Sequence, residues 1–290
     1  MLRREWIYAW LLLLPAFVFL ITFTHLPAVE TLINSFWTTA KGRRPSVFTG
    51  LGNYQKMLDD PIFIKAMINS TLYAALTIPT SIALALVMAL LVHRPFKGVA
   101  LMRMSFFTPT VLPLVAVANI WLFFYAPGFG LIDQIRQFFG FASANYAGQP
   151  DTALYSVAVV TIWKEAGFFM IFFLAALQTV PETLREAAAI EGCSKWTFFR
   201  RVTLPLIMPT TLFVSVNAVI NAFRLVDHVF VMTKGGPDNA SMLLLYYIFE
   251  TGFRFWDTAY AAALTVVLIL ILSLAGIGQF FVADKRVHYK

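Results

Sequence analysis

The feature that most constrains this chain is a set of long stretches without a single charged residue. Five such windows of at least 22 residues occur, and charged residues bound each of them: 6–29, 66–93, 104–132, 202–223 and 258–283. A helix that crosses the hydrocarbon layer, about 30 Å thick, needs about 20 apolar residues, because each residue rises about 1.5 Å. Each window is therefore long enough for one membrane-spanning helix.

A sixth apolar stretch covers residues 152–178 and is interrupted only by Lys164 and Glu165. These adjacent side chains have opposite charges, so pairing between them or a polar bundle interior would reduce the cost of inserting this helix. Prolines inside the windows are compatible with kinked membrane helices, whose freed carbonyls find other partners. The sequence thus predicts an all-α membrane protein with six transmembrane helices.

The composition excludes a soluble enzyme. Hydrophobic residues make up 59% of the 290 residues and charged residues only 13%, whereas a soluble domain has roughly 25% charged residues. Cys193 is the single cysteine, and the four histidines are scattered. An internal disulfide is therefore impossible, and we expect no metal site in this chain.

The distribution of charge predicts the orientation in the membrane. With six spans, both termini and the loops at 93–103 and 179–205 share one side, which carries twelve basic and five acidic residues. The opposite side carries eight of each, so the whole formal charge of +7 lies on the first side. Basic residues accumulate in the cytoplasm, which predicts that both termini are cytoplasmic.

The same topology suggests three parts of the chain. Residues 1–65 would hold the first transmembrane helix and the first periplasmic loop. Residues 66–283 would form a core of five transmembrane helices, and 284–290 a cytoplasmic tail.

The segment between the fourth and fifth apolar stretches, 152–178 and 202–223, predicts a helix–turn–helix elbow at residues 180–205. Gly192 can take the left-handed conformation that closes a first helix, and Ser194 is a good cap for a second. Leu204 and Pro205 are expected to stop that second helix where the next span begins.

The first helix of the elbow has the properties of a docking surface. Ala187, Ala188 and Ala189 have little side-chain bulk and allow close approach by another protein. Arg185 and Glu186 can fix the orientation of that partner through charge-assisted hydrogen bonds.

This elbow resembles the EAA loop of the permeases of ATP-binding-cassette (ABC) importers. Val202 stands where Ile is usual in the family, and Glu191 and Cys193 stand where Asp and Ala are frequent. The residues that carry the resemblance are Glu186, Ala187, Ala188, Gly192, Val202, Leu204 and Pro205.

Further short motifs of this chain resemble those of the carbohydrate branch of that family, the maltose and glycerol-3-phosphate type. They include a Leu-Gly-Asn-Tyr stretch, a Thr-x-Gly-Gly-Pro turn and a Tyr-Ala-Ala-Ala stretch, and they cover most of the chain from about residue 50. The matching positions are 51–54, 60–61, 127–132, 163–164, 175–178, 233–237 and 260–263.

The resemblance implies a permease subunit in the inner membrane of a bacterium. Its partners would be a second, unlike permease, two ATPase subunits, an extracytoplasmic solute-binding protein and membrane lipid, but no nucleic acid. ATP and Mg²⁺ would bind to the ATPase subunits, because this chain has no G-x-x-x-x-G-K-[ST] loop. We therefore expect no catalytic residue and no cofactor here. The implied ATPase-coupling residues are Arg185, Glu186, Ala187, Ala188, Glu191, Gly192, Leu204 and Pro205.

The fifth span offers a candidate path for the substrate. Asn217, Asn221, Arg224 and His228 follow a spacing of i, i+4, i+7 and i+11, which predicts one polar stripe on an apolar helix. In the resembling permeases, the helix before the Gly-Gly-Pro turn lines the substrate path. We expect alanine at Asn217, Asn221 or Arg224 to impair transport. The predicted path residues are Trp163, Lys164, Asn217, Asn221, Phe223, Arg224 and Asp227.

Two interpretations of the charged residues in this path stay open. Arg224 suits a phosphate, sulfonate or carboxylate group on a substrate, but a pair with Asp227 or Glu165 is favoured. The solute would be a sugar or a sugar-like molecule, including an anionic one such as glycerol-3-phosphate or a related glycoside.

Two functions of other classes are also compatible with a polar membrane bundle. One is an ion-coupled secondary transporter acting alone, with Lys164/Glu165 and Asp227/His228 as a relay. The other is a scaffold or sensor, in which the polar stripe only joins helices. Neither alternative explains the elbow.

Overall fold

A computed structural model describes residues 2–284 of the chain. Within this range the protein is almost entirely helical, and its β contacts are the isolated bridges Trp37–Phe48 and Lys41–Arg44. The all-α prediction is confirmed. Of the predicted tail at 284–290, all but the first residue lies outside the described residues, including Lys285, Arg286 and Lys290.

Fifteen helical segments follow one another within the described range. They are α1 (Leu2–Leu20), α2 (Leu26–Asn34), α3 (Gly52–Leu58), α4 (Pro61–Val92), α5 (Val99–Val111), α6 (Leu114–Tyr125), α7 (Leu131–Phe138), α8 (Pro150–Gln178), α9 (Glu182–Ile190), α10 (Lys195–Phe198), α11 (Leu204–Leu206), α12 (Met208–Arg224), α13 (Asp227–Met232), α14 (Leu244–Phe249), α15 (Thr258–Asp284), and one π-helical turn after each of α1, α10 and α14 that counts with its helix.

Five helical stretches in the described range are long and apolar enough to cross a membrane. They are Tyr8–Asn34, Pro61–Val92, Pro150–Gln178, Met208–Met232 and Thr258–Phe281. The half-helices α5 and α6 together pass the same test, which makes six spans if the bent pair counts as one. Each predicted window therefore corresponds to one of these stretches.

The third window does not form one continuous helix over 104–132, because α5 and α6 are bent by 104°. Leu112 between them has an extended backbone with φ −72° and ψ 137°. A residue that precedes proline disfavours the helical conformation, and Pro113 has no N–H to continue the helix. Pro113 therefore ends α5 and leads into α6, where the sequence interpretation allowed only a kink.

The chain divides into two compact units. One contains the residues up to Pro61 together with Tyr247–Leu270, and the other contains Ile62–Tyr246 together with the residues from Ile271 onward.

In the first unit, residues of the Leu-Gly-Asn-Tyr and Asp-Pro motifs organise the loops. Asn53 donates hydrogen bonds to the carbonyls of Ser35 and Trp37, both at 2.8 Å. The Asp60 carboxylate accepts from the hydroxyls of Tyr247 and Tyr260, at 2.5 and 2.6 Å. These two motif residues are thus explained by contacts that hold the unit together.

In the second unit, α8 is the central helix and packs against α5, α6, α12 and α13. It is apolar around most of its circumference, which is typical of a helix enclosed by others. Its large side chains meet small residues of α4 and α12, an arrangement that brings helices close together. The core contains Ala85, Ala89, Val92, Phe169, Met170, Phe173, Val214 and Ala218.

Asp133 organises the loop around α7 in the same unit. Its carboxylate accepts hydrogen bonds from the Ser143 hydroxyl at 2.7 Å and from the amides of Ala144 and Gly128 at 2.9 and 2.7 Å. Gln137 donates a fourth bond at 3.0 Å. These donors favour the charged form and lower the pKa of Asp133 to about 2.

Gly167 provides a test of the packing between α8 and α5. A Cβ atom added at Gly167 would lie 2.3 Å from the Phe106 carbonyl oxygen, which belongs to a rigid backbone. We expect Gly167→Ala to destabilise the protein by about 1–3 kcal/mol through overpacking, measured as a lower thermal midpoint in detergent. Gly276→Ala is the matched control, because a Cβ there would meet open space. Equal midpoints for the two variants would contradict this packing.

Candidate functional site

The predicted elbow is present as two helices joined by a tight turn. Helix α9 ends in a Schellman motif, in which the amide of Cys193 bonds to the Ala188 carbonyl and the amide of Gly192 to the Ala189 carbonyl. Gly192 has a φ of +70°, as predicted. The Ser194 hydroxyl then caps α10 by accepting from the Thr197 amide at 3.2 Å.

The end of the second elbow helix differs from the prediction. Leu204 and Pro205 do not stop it, because they lie within α11, and the interruption comes at Ile207, just before α12. A π-helical turn, Phe199–Thr203, precedes α11, and its last hydrogen bond joins the Leu204 amide to the Phe199 carbonyl. Pro205 lacks the N–H of a regular helix, and this wider turn absorbs the interruption.

The elbow presents an exposed surface. No residue of α9 is buried, and Arg185 forms an ion pair with Glu182 of the same helix, so its charge is partly used within the elbow. The side chains of Ile190 and Trp196 are 89% and 69% exposed. Sequence reasoning did not select these two residues, since a large apolar residue near a membrane span gives no sign of its exposure.

A second candidate site is a polar cluster in the core of the second unit, formed by Tyr73, Thr161, Glu165, Asn221 and His228. The Tyr73 hydroxyl lies 2.5 Å from the Thr161 hydroxyl and 2.9 Å from His228 Nε2. His228 Nε2 is also 3.0 Å from the Thr161 hydroxyl. These three residues are buried, and they join α4, α8 and α13.

The other half of the polar cluster joins α8 to α12. Asn221 donates a hydrogen bond of 2.6 Å to Glu165, whose side chain is buried. Glu165 lies one turn after Thr161 on α8, so both parts of the cluster share one face of that helix.

The expected pair between Lys164 and Glu165 is not formed in the described structure. Lys164 instead donates to three backbone carbonyls at the end of α5, those of Pro109, Thr110 and Leu112. Consecutive residues of a helix point about 100° apart, so different neighbours are available to each charge.

The predicted stripe of four polar residues is also divided. Asn217, Asn221 and Arg224 share a face of α12, but this helix ends at Arg224, and Leu225 has an extended backbone. His228 therefore belongs to the separate helix α13 and lies in the polar cluster. Asn217 bonds to the Phe213 carbonyl of its own helix.

Arg224 and Asp227 are both exposed, and within the described residues Arg224 forms no ion pair with Asp227 or Glu165. Arg224 lies in the last turn of α12 and Asp227 in the first turn of α13. Each charge thus complements the dipole of its own helix end, so the favoured internal pairing of Arg224 is wrong. Among the described residues, no hydrogen bond or ion pair joins Lys164 to Glu165 or Asp227 to His228, the two pairs of the relay considered for an ion-coupled transporter.

The aromatic residues of the predicted path differ in their surroundings. Trp163 is 39% exposed and packs edge-on against Trp121 of α6, with ring centroids 5.7 Å apart. Phe223 is half-buried on α12.

Comparison with known proteins places this arrangement of helices in a family. Residues 81–288 match the family described as "Binding-protein-dependent transport system inner membrane component". The chain belongs to this family. It is therefore an inner-membrane component of a transport system, and its long apolar helices are membrane-spanning.

Several relatives of this transport component align with nearly its whole length. It is 32% identical to the sulfoquinovosyl glycerol transport system permease SmoG of Agrobacterium fabrum, over 90% of this chain and 85% of that protein. It is 31% identical to the sn-glycerol-3-phosphate permease UgpA of Yersinia pestis, over 97% and 95%. The lactose permease LacF of Rhizobium radiobacter is 30% identical, over 96% and 94%.

Solved structures show the same fold. A chain of a bacterial ABC transporter that imports the acidic polysaccharide alginate superposes with a TM-score of 0.86 at 20% identity, over 99% of this chain and 98% of that chain. The same kind of transporter in complex with an alginate pentasaccharide-bound periplasmic protein gives a TM-score of 0.84, also at 20% identity, over 96% and 93%.

The bond between Asn221 and Glu165 predicts unequal effects of two asparagine substitutions. We expect Asn221→Ala to destabilise the transport component by about 1.5–3 kcal/mol, because a buried carboxylate loses its donor. The matched change Asn217→Ala removes only a bond within one helix and should cost less than about 0.5 kcal/mol.

Thermal unfolding in detergent measures both variants. Glu165→Leu in the Asn221→Ala background should recover part of the lost stability, since it removes the unpaired group. Similar midpoints for the two single variants would contradict the role of this bond.

Proposed function

We propose that this chain is the permease subunit of an ABC importer and that, with a second permease, it forms the translocation pathway for a sugar or sugar-like solute. The observation that carries the proposal is the nature of the relatives. Three of them, aligned over 85–95% of their own length, are permeases for a glycerol glycoside, for lactose and for glycerol-3-phosphate. Their shared property is a hydroxyl-rich solute, with or without an anionic group.

The proposed assembly contains several further proteins. A second, unlike permease completes the pathway, two ATPase subunits bind ATP and Mg²⁺, and an extracytoplasmic binding protein delivers the solute. The complex of a similar fold with a solute-bound periplasmic protein supports the last of these partners. This chain has no phosphate-binding loop of its own, so we assign it transport and no ATP hydrolysis.

The proposed orientation has both termini and the elbow in the cytoplasm. It requires that α5 and α6 together count as one span, which gives six crossings. The concentration of the net positive charge on the side of the elbow supports it.

The elbow would transmit the ATPase cycle to the permease. Its alanine-rich helix, the exposed Ile190 and the exposed Trp196 form a surface on which an ATPase can dock. Closure of the ATPases on ATP would move the docked elbow and turn the two permeases to face outward. Hydrolysis would restore the inward-facing state, which is alternating access.

A substitution at Gly192 tests both the coupling through the elbow and the assembly with the ATPases. Gly192 has φ +70°, and a side chain at such a position costs about 1–2 kcal/mol. We expect Gly192→Val to reduce co-purification of the ATPases, or ATP-driven uptake by the reconstituted importer, by about an order of magnitude.

Two matched variants separate coupling from general strain. Gly140 has φ +79° and equal free space but lies outside the elbow, so Gly140→Val should leave the ATPase association intact. Gly192→Asn should preserve much of the function, because Asn tolerates this conformation. Normal assembly and normal uptake with Gly192→Val would refute the proposed coupling.

The face of α12 that carries half-buried Asn217 and exposed Arg224 is the proposed contact with the solute. Asn217 and Arg224 offer amide and guanidinium donors on this face, and Arg224 forms no ion pair within the described residues. Phe223 on the same helix and Trp163 on α8 add aromatic surface of the kind that packs against sugar rings. A guanidinium group with free donors suits an anionic oxygen of a substrate.

Replacement of Arg224 tests this contact. We expect Arg224→Gln to lower uptake of the solute by about 10-fold to 100-fold, the effect of one charge-assisted hydrogen bond. Arg224→Lys should retain more uptake than Arg224→Gln, and Lys65→Gln, which changes an exposed charge at the start of α4, should have no effect. Unchanged uptake and unchanged solute-stimulated ATP hydrolysis in Arg224→Gln would exclude Arg224 from the path.

A further inference from the structure

The break between α5 and α6 leaves backbone carbonyls without their helical donors. In a continuous helix the carbonyl of Pro109 would accept from the amide of residue 113, but Pro113 has no N–H. The extended backbone of Leu112 also removes the helical donors of the Thr110 and Leu112 carbonyls. In the hydrocarbon layer water does not compensate such groups, so protein donors must do so.

Lys164 supplies one donor to each of these carbonyls. An ammonium group has three N–H donors and no acceptor. Lys164 Nζ lies 3.0 Å from the Pro109 carbonyl oxygen, 3.1 Å from that of Thr110 and 2.6 Å from that of Leu112. Its positive charge also lies at the negative end of the α5 dipole. The side chain thus provides both the donors and the charge that this helix end lacks.

The turn of α8 that carries Lys164 holds both half-helices. Gly167 allows the backbone of α5 to approach closely at Phe106, and Trp163 packs edge-on against Trp121 of α6. Helix α6 in turn packs against α13, which carries His228 of the polar cluster. A displacement of α6 would therefore reach the polar cluster through α13.

We propose that Lys164 is a positioning residue whose ammonium group replaces the hydrogen bonds lost at the break of α5 and α6 and so keeps α6 in place against α8 and α13. The sequence interpretation assigned Lys164 to the substrate path or to a pair with Glu165. The consequence for transport rests on the proposed function, whereas the effect on the structure does not.

Chemical rescue tests the proposal directly. Lys164→Ala removes three carbons and the ammonium group, which together correspond to propylammonium. In the assembled importer in detergent, we expect Lys164→Ala to lower the thermal midpoint by several degrees. Propylammonium should restore at least half of that loss, whereas tetramethylammonium, which has no N–H donor, should restore none.

Controls distinguish a specific site from a general effect of amines. The wild-type importer and the variant Lys97→Ala, at an exposed lysine between α4 and α5, should show no stabilisation by propylammonium. Equal stabilisation of wild type and Lys164→Ala would show a solvent effect and overturn the proposal, as would failure of any amine to stabilise Lys164→Ala.

A second pair of variants applies if Lys164→Ala does not fold. Lys164→Arg keeps a charge with several donors, and Lys164→Met keeps an unbranched side chain without donors. We expect the thermal midpoint of Lys164→Arg to lie close to that of the wild type and the midpoint of Lys164→Met to be lower. Equal midpoints for Arg and Met at this position would overturn the proposal.

A spectroscopic measurement follows α6 without any substrate. The near-ultraviolet circular dichroism of the Trp121–Trp163 pair, obtained as the difference from Trp121→Phe in each background, should be lost in Lys164→Met and kept in Lys164→Arg. An unchanged signal in Lys164→Met would overturn the proposal. Absence of solute uptake by the wild-type importer would refute the proposed function and leave these stability and spectroscopic results as they are.

Discussion

Inside the hydrocarbon layer every backbone carbonyl needs a donor from the protein, and this requirement governs the core of the second unit. Regular helices meet it within themselves, but the broken helix α5–α6 does not, because Pro113 removes a donor and Leu112 leaves the helical conformation. The bend of 104° is tolerable since α8 presents Lys164 to the freed carbonyls. A charged residue in the most enclosed helix thus serves the backbone of its neighbour.

The same helix connects this core to the elbow. Helix α8 ends at Gln178, four residues before α9 begins, and the second half of the elbow continues through α11 to α12. Glu165 and Asn221 join these two flanking helices by a hydrogen bond of 2.6 Å. A force applied at the elbow would therefore act on two helices that are tied together at the polar cluster, as coupling to partner ATPases would require.

Much of this architecture was predictable because its signals are local. The charge-free windows reveal the spans, since insertion of a helix depends on the summed hydropathy of about 20 consecutive residues. The elbow could also be predicted from local signals, because Gly192 closes α9 in the left-handed conformation and Ser194 caps α10. The prediction that Leu204 and Pro205 stop the second elbow helix was wrong, because the π-helical turn Phe199–Thr203 accommodates the missing N–H of Pro205.

By itself, the sequence determined that the chain is a helical membrane protein with about six apolar spans and an elbow between two of them. The tertiary structure alone decided the partners of the charged and polar side chains. Lys164 bonds to carbonyls more than 50 residues earlier, Glu165 to Asn221, and His228 to residues of α4 and α8. Hydropathy and capping depend on neighbours along the chain. These bonds instead depend on which helix lies opposite the break between α5 and α6 or opposite a polar side chain, and only packing brings such distant groups together.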